Sequence, residues 1–556
     1  MGYNQPLTAL RTHTVENQAA PLEGLNAYLA DTVLREAVNR EGGSWADGNL
    51  EGLGSAVFDP EWMHKAASAN RYTPELKRFD RYGHRVDTVE FHPAWHDLMS
   101  LAYEHEVHAL PWRTKRSGGH VARGAASMLF AQLEAGVLCP TAITYGVVPM
   151  MRQQPDLAAV WEPLMVSKQY DPRVIPHEEK RGISIAFTAT EKQGGSDIRR
   201  NMTEAKPTGQ PGPGREYILT GHKWFCSAAG ADIIFVVAQT EKGPGCFLVP
   251  RWLPDGSRNP ISLERLKDKL GNKSNASTEL EFEGTHGWLV GEEGRGIPFV
   301  MEFMLHTRFD VSVVPVGFMR LGLTQAIHHS RHRSAFQRRL IDQPLMRNVL
   351  ADLAIELEAS TAMVFRIARA FDASHQSEGE RVFGRLTVAL SKYWLNKRVV
   401  PFMAEALEAH GGAGYIEESV MPRYYREAPL NGIWEGAGNV ISLDVLRALR
   451  REKGAAEVFF DEIGKARGVN HAFDTAFDEL DRLVRREPIP EDQARHVAER
   501  MALALQAAVL LQHAPHVVSD TFCATRLAGA GGRAYGTLPV GTDFETVLAR
   551  ALPAAA

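Results

Sequence analysis

Cysteine is scarce in this chain of 556 residues, and its four copies stand apart at Cys139, Cys226, Cys246 and Cys523. No two of them form a Cys-x-x-Cys pair, so the sequence indicates neither a structural zinc site nor a disulfide framework. Because unpaired thiols are typical of reducing compartments, a cytoplasmic location is the simplest expectation.

Long apolar runs and an excess of basic charge are also missing. Residues 1–20 are polar and lack the apolar core of a signal peptide, and the apolar stretch at 501–511 is too short to span a bilayer. We therefore expect no membrane partner. The net charge of −5 gives no general attraction to nucleic acid, so any site for a polyanion must be a local patch.

The chain lacks a dinucleotide fingerprint and a metal motif as well. The glycine pairs at 42–43 and 531–532 do not follow a strand, as such a fingerprint would require. His92 and His96 are four residues apart, but no carboxylate stands between them in the order of zinc proteases, so no metal site is predicted.

Hydrophobic periodicity divides the chain into four parts and predicts an α+β protein. Residues 1–181 are mostly helical, whereas residues 182–290 carry short β-rich runs separated by Gly-Pro turn signals. The period returns to that of helices in residues 291–448, and a further helical part fills residues 449–556. We expect a helical N-terminal domain, a central antiparallel β-domain, a helical bundle and an extra C-terminal helical domain.

Two helices of the bundle can be outlined from their apolar residues. Leu345, Leu353 and their neighbours at helical spacing predict one buried face. A second helix is predicted over 383–409, where Pro401 introduces a kink or a break and Gly411 marks the end.

One carboxylate stands out in the turn that precedes the last bundle helix. Glu435 follows Trp434 and lies among glycines, in the order Ile433-Trp434-Glu435-Gly436-Ala437-Gly438-Asn439. A carboxyl group beside an indole fits a desolvated general base, because low dielectric raises its pKa toward neutrality. The alternative is an ordinary acidic residue in the first turn of a helix.

Three further segments carry groups that suit a large anionic cofactor. The loop at 187–197 has two adjacent glycines and the hydroxyls of Thr190 and Ser196, which can donate to an anion. Phe225 and Ser227 lie on a predicted strand, and Arg333 offers forked donors that suit a pyrophosphate. Taken singly, the loop is weak evidence because it also fits a polar hairpin, and the segment with Phe225 and Ser227 fits an ordinary half-buried strand better.

Together the four segments resemble those of acyl-CoA dehydrogenases. The resemblance implies that Glu435 removes a substrate proton while FAD accepts a hydride, and that Arg333 reaches the FAD of a neighbouring subunit. Gln337 and Glu408 depart from the family pattern, which usually has Gly and Gln there. The resemblance assigns FAD contacts to Phe187, Thr190, Gln193, Gly194, Gly195, Ser196, Phe225, Cys226, Ser227, Ile433, Trp434, Gly436, Gly438, Asn439 and Arg333.

One subgroup is similar over nearly the whole length, namely the AidB-type adaptive-response flavoproteins. The supporting stretches are 40–43, 91–96, 191–197, 266–272, 307–310 and 426–447. This resemblance implies a homotetrameric FAD protein of the DNA alkylation response that binds double-stranded DNA and protects or repairs it.

The predicted DNA contacts are Arg447, Arg450 and Arg451, whose spacing places them on one helix face. Bulk charge does not support them, since residues 448–556 hold thirteen basic and fifteen acidic residues. The alternative is a solvated helix end that the helix dipole favours.

The sequence is compatible with three functions. The first is a DNA-associated flavoprotein with residual dehydrogenase chemistry. The second is a metabolic acyl-CoA dehydrogenase for branched or short chains, with an acyl-CoA thioester as its partner and no role at DNA. The third is a binding protein in which FAD is structural.

Overall fold

A computed structural model describes residues 12–485 and 488–551. The first eleven residues of the predicted polar N-terminus lie outside the described residues. The N-terminal part consists of the helices α1 (Thr32–Arg40), α2 (Asp47–Val57) and α3 (Pro60–Arg71), the hairpin β1 (Glu75–Phe79) and β2 (Arg85–Glu90), and the helices α4 (Pro93–Glu104), α5 (Leu110–Arg113), α6 (Gly119–Leu133), α7 (Leu138–Met151) and α8 (Pro155–Met165).

Local chemistry explains where several of these helices begin. Asp59 accepts hydrogen bonds from two backbone N–H groups in the first turn of α3, and Pro60 occupies the first helical position. His92 caps α4 by accepting from the backbone N–H of Ala94. Among the described residues, no group of three or more His, Cys, Asp or Glu side chains is arranged to hold a metal ion.

The central sheet is built from seven strands whose pairings close into a ring. The strands are β3 (Ile185–Thr188), β4 (Glu204–Pro207), β5 (Glu216–Ser227), β6 (Ile233–Thr240), β7 (Gly243–Pro250), β8 (Ile261–Leu266) and β9 (Ser277–Val290). β5 pairs with β9, β9 with β7, β7 with β6, and both β3 and β4 bridge β6 and β5. Closure leaves few unpaired edges, which suits a small β-domain between helical layers.

The helical bundle follows the sheet. It comprises α9 (Gly296–His332), the short hairpin β10 (Ser334–Ala335) and β11 (Arg338–Arg339), α10 (Pro344–Ala373), α11 (Glu378–Glu408), α12 (Met421–Glu427) and α13 (Gly438–Arg451). α9 is buried along most of its 37 residues, because α6, α7, α10 and α11 all pack against it. It is therefore the central helix of the protein.

The C-terminal helices extend the same core. They are α14 (Ala455–Gly464), α15 (His471–Val484), α16 (Ala494–His513), α17 (His516–Phe522) and α18 (Phe544–Ala551). α16 packs against α10, α11 and α13, and the buried Trp394 indole donates to the Gln506 side chain at 3.0 Å. One hydrophobic cluster runs through the N-terminal helices, the bundle and this part. The part of the chain that the structure describes has no helix with the length and apolarity to cross a membrane.

The structure confirms the α+β class and its order of helical, β and helical parts, and it corrects several local expectations. Leu345 is exposed rather than buried, because it lies in the first turn of α10. Pro401 neither breaks nor ends α11, which continues to Glu408. The sheet is mostly antiparallel, but β3 and β4 run parallel to β6. The hairpin of β1 and β2 was not predicted.

Candidate active site and basic pocket

Glu435 lies in the turn between α12 and α13 with a left-handed backbone, at φ 58°. Such a conformation is costly for a residue other than glycine and is typical of functional sites. Its Oε2 is buried and has no hydrogen-bond partner among the residues that the structure describes. Burial raises the pKa of this carboxyl, while a hydrogen bond from Thr307 and the charges of Arg308 and Lys392 partly offset that rise.

Two basic side chains hold the strained turn. Arg308 on α9 donates from Nε to the Glu435 carbonyl oxygen at 3.2 Å. Lys392 on α11 donates to the carbonyl oxygen of Gly436. Burial lowers the pKa of Lys392 to about 7, although the charge of Glu435 opposes that shift. The carboxyl is thus fixed between two helices, with a free oxygen in a desolvated setting.

The predicted loop and strand segments come together beside this turn. Phe187 on β3 is the register partner of Ser227 on β5. The Thr188 hydroxyl donates to the Phe225 carbonyl at 2.8 Å, and the backbone N–H of Trp224 donates to the Thr190 carbonyl at the same distance. Phe187 and Trp434 pack against the same apolar cluster, which joins both segments to the Glu435 turn.

Cys139 on α7 lies where these segments meet. Its thiol interacts with the Ser227 hydroxyl and experiences the charge of Glu435. Burial raises the pKa of Cys139 to about 11, so the thiol is neutral. Sequence reasoning did not assign Cys139 to the site, because a lone cysteine on an apolar helix is usually a packing residue.

The loop that holds Gly194 and Gly195 forms an open cradle, in which a ligand can approach the backbone closely. A Cβ on Gly195 would lie 2.5 Å from the Thr190 hydroxyl oxygen, so only glycine fits there. Gly194 has a φ of 153° with open space around it. Beneath the loop, Glu191 and Lys223 form a fully buried ion pair at 2.7 Å that anchors it to β5.

The predicted cofactor residues differ in how they face this cradle. Phe225 is 46% exposed, which is unusual for an aromatic residue within a central strand. The side chain of its neighbour Cys226 is buried in the core of the β-domain, so the predicted cofactor contact of Cys226 could involve only its backbone. The Gln193 amide donates to Glu191 at 2.7 Å and is occupied within the loop.

The remaining predicted residues lie around the start of α13. Ile433 is exposed, and the Trp434 indole donates to Asn431 at 2.8 Å. Gly436 has a φ of 110°. Gly438 begins α13, whose first turn has no side-chain cap, and the Asn439 side-chain oxygen accepts from Arg495 of α16 at 2.8 Å.

Arg333 lies far from the cradle and the Glu435 turn of its own chain. It follows the last residue of α9, about 37 Å along the helix from Arg308 at 1.5 Å per residue. Its guanidinium donates to the backbone carbonyl of Asn17 at 2.7 Å. The hairpin next to it holds Phe336 and Gln337, both in left-handed conformations, with Phe336 94% exposed.

A basic pocket lies at the opposite end of α13. Arg447, Arg450 and Arg451 line it together with Leu443, Leu446 and Glu491, around a volume of about 260 Å³. Arg450 donates to the Ile489 carbonyl at 2.8 Å, and Arg447 bonds Asp444 at 3.0 Å. The predicted clustering of the three arginines on one face is therefore present, and two of them already hydrogen-bond to groups of their own chain.

Sequence reasoning missed the residues that support Glu435 from other helices. Thr307, Arg308 and Asp444 lie in stretches noted only for their similarity, and Lys392 and Arg495 were not noted at all. Lysine and arginine inside long helices resemble surface residues in a sequence, and only packing shows that Arg308 and Lys392 point inward.

The fold and this site agree with comparisons to known proteins. Residues 294–450 match the family description "Acyl-CoA dehydrogenase, C-terminal domain" and residues 186–285 match "Acyl-CoA dehydrogenase, middle domain". Residues 17–172 match "Adaptive response protein AidB N-terminal domain".

Relatives that match over most of their length belong to the same family. AidB of Escherichia coli (strain K12) is 43% identical over 94% of this chain and 96% of its own. Acyl-CoA dehydrogenase family member 11 of Caenorhabditis elegans is 27% identical over 82% of this chain and 78% of its own.

Solved structures share the fold. The crystal structure of C. elegans ACDH-11 in complex with C11-CoA has a TM-score of 0.84 at 25% identity, over 94% of this chain and 95% of that one. An acyl-CoA dehydrogenase from Bacillus anthracis complexed with FAD has a TM-score of 0.62 at 19% identity, over 79% and 78% of the two chains.

These matches define first a class, the flavoprotein oxidoreductases with the acyl-CoA dehydrogenase fold, for which FAD is the cofactor. Within that class, the chain belongs to the AidB-type group of the acyl-CoA dehydrogenase family.

Proposed function

We propose that the protein oxidises an acyl-CoA thioester, with Glu435 as the base that removes the proton α to the thioester carbonyl. The observation that carries this proposal is the buried, unpartnered Oε2 of Glu435 on a strained backbone. A carboxylate kept desolvated has a raised pKa and accepts a proton readily near neutral pH.

The residues present fit FAD. The open cradle of Gly194 and Gly195, the hydroxyls of Thr190 and Ser196, and the exposed ring of Phe225 would hold it, beside Ser227. When bound, FAD supplies an acceptor for the hydride that leaves the carbon β to the carbonyl. The chain's own part is to orient Glu435 through Arg308 and Lys392 and to keep water from its carboxyl group.

The substrate class rests on the fold and on a relative. The C. elegans protein was crystallised with C11-CoA, and its structure covers nearly all of this chain. The absorption spectrum of the FAD-loaded protein, recorded without oxygen against saturated acyl-CoA thioesters from butyryl to undecanoyl, tests the proposal. Bleaching of the flavin band by one of them is expected; no bleaching by any member would favour a protein in which FAD is structural.

We further propose that the protein binds double-stranded DNA through the basic pocket. Its support is the convergence of Arg447, Arg450 and Arg451 on one volume, together with the match to AidB. Arg451 is exposed at the C-terminal end of α13 and has no ion pair among the described residues, which leaves it available to a phosphate group. Glu491 in the same pocket opposes an anion, so the affinity should be modest.

Duplex binding should be independent of sequence and should weaken steeply with salt, because phosphate contacts release counterions. Fluorescence anisotropy of a labelled duplex at several salt concentrations tests this. Absence of binding at low salt would leave the alternative, a metabolic acyl-CoA dehydrogenase without a role at DNA.

We also propose a homotetramer in which Arg333 reaches the FAD of another subunit. Arg333 and the exposed Phe336 lie at the far end of α9, remote from the cradle of their own chain. The exposed ring of Phe336 offers apolar area that a contact with another chain would bury. Light scattering of the purified protein measures the assembly directly, and a monomeric mass with full FAD content would refute this role of Arg333.

A further inference from the structure

One buried carboxylate connects the two ends of α13. Asp444 has a side chain only 1% exposed, and three arginines bind it. Arg308 of α9 donates to its Oδ2 at 2.8 Å. Arg385 of α11 and Arg447 of α13 itself donate to its Oδ1, at 2.9 and 3.0 Å.

Arg308 extends this network to Glu435. The same guanidinium that bonds Asp444 through Nη1 donates through Nε to the Glu435 carbonyl oxygen. Because a guanidinium is planar and rigid, fixing one of its edges on Asp444 also fixes the edge that faces Glu435. The Arg308 side chain is 5% exposed, so no water shell replaces either contact.

Asp444 also affects the electrostatic environment of the Glu435 carboxyl. The groups that face Glu435 are Arg308 and Asp310 on α9, Lys392 on α11 and Cys139 on α7. Asp310 is itself paired with the buried Arg123. Asp444 is thus the carboxylate that neutralises Arg308, one of the two cations that hydrogen-bond the catalytic turn.

We propose that Asp444 is a positioning residue for Glu435, acting through Arg308 on both the backbone and the charge environment of the base. The inference rests on the proposed role of Glu435. It also gives Arg447 a second role, since the arginine that lines the basic pocket shares Asp444 with the active site.

The main test is Asp444→Asn in the FAD-loaded protein. The amide keeps the shape but loses the charge, so Arg308 is no longer neutralised and favours the ionised form of Glu435. In the plot of the rate of acyl-CoA-driven flavin reduction against pH, the acid limb should move to lower pH by about one unit. The rate at its optimum should fall about ten- to a hundredfold, because the turn loses its fixed geometry.

A second readout does not depend on turnover. Infrared spectra recorded across a pH series follow the protonated carboxyl band that Glu435→Gln removes, and this band should titrate at lower pH in Asp444→Asn. Asp444→Glu restores the charge and should return the midpoint toward that of the wild type.

Arg447→Ala keeps the test decisive if Asp444→Asn does not fold, because Arg447 is half exposed and tolerates truncation. Removing this cation should move the Glu435 midpoint in the opposite direction, upward. The matched control is Glu462→Gln, a buried carboxylate of α14 that is shared by Arg366 of α10 and by Lys465, which directly follows α14. It should leave the midpoint unchanged.

The inference is overturned if Asp444→Asn and Arg447→Ala both leave the midpoint where it is, or if Glu462→Gln moves it equally. Failure of the proposed function has a different signature. In that case Glu435→Gln itself would leave flavin reduction and its acid limb intact.

Discussion

The two ends of α13 place different chemistry on one helix. At its N-terminal end, Glu435 is strained and desolvated and is held by Arg308 and Lys392 from neighbouring helices. At its C-terminal end, Arg450 and Arg451 are exposed and follow plain helical spacing. The first end depends on tertiary packing and the second on local periodicity.

This difference bears on how each site responds to change. A buried base loses function when one atom or one supporting contact is altered, since no water substitutes for the missing group. An exposed phosphate site loses affinity in small, nearly equal steps as charges are removed. The comparison can be tested by substitutions at each end.

The largest effect is expected for Glu435→Gln. Gln keeps the volume but cannot accept the proton, so acyl-CoA-driven flavin reduction should fall about a hundred- to ten-thousandfold, as for loss of a positioned base. FAD content should stay the same. Stopped-flow absorbance of the flavin measures both, and a rate within a few-fold of the wild type would remove Glu435 from the role of base.

The cofactor cradle should show an intermediate effect. Thr190→Ala with Ser196→Ala removes two hydroxyl donors, each contributing about 1 kcal/mol. FAD affinity should therefore fall about thirtyfold, by the conversion of about 2 kcal/mol. Fluorescence titration of the apoprotein with FAD measures the change. Unaltered affinity would show that this loop does not bind the cofactor.

A smaller effect is expected at the exposed end. Arg450→Ala with Arg451→Ala should weaken duplex binding about tenfold at low salt and reduce the slope of log affinity against log salt by about two. Anisotropy titrations at several salt concentrations give the slope. If it does not change, DNA binds elsewhere.

The smallest effect concerns stability and its dependence on pH. Burial raises the pKa of Glu435 in the folded state above its ordinary value. Its stabilising contribution is therefore complete below the ordinary glutamate pKa and is lost as the pH rises through the raised value. Glu435→Gln should gain about 1 kcal/mol of unfolding free energy near pH 8.

The same variant should gain nothing near pH 4, where Glu435 is protonated in the folded protein. Urea unfolding at the two pH values measures the difference. An equal gain at both pH values would show that the effect does not come from the charge of Glu435.

The sequence by itself determined the order of helical, β and helical parts and the family resemblance at Glu435, Thr190 and Phe225. These features are local, because hydrophobic periodicity and the spacing within a motif are set by residues near one another in the chain. The helical face of Arg447, Arg450 and Arg451 was visible for the same reason.

Only the tertiary structure decided what surrounds those residues. Arg308, Lys392 and Asp444 are far apart in the chain, and α9, α11 and α13 must pack together before they reach Glu435. Packing also buries the side chain of Cys226 in the core and leaves that of the neighbouring Phe225 exposed. Alternation along a strand places the two side chains on opposite faces but does not say which face is buried. Desolvation is a property of the assembled core, so the raised pKa of Glu435 follows from the fold.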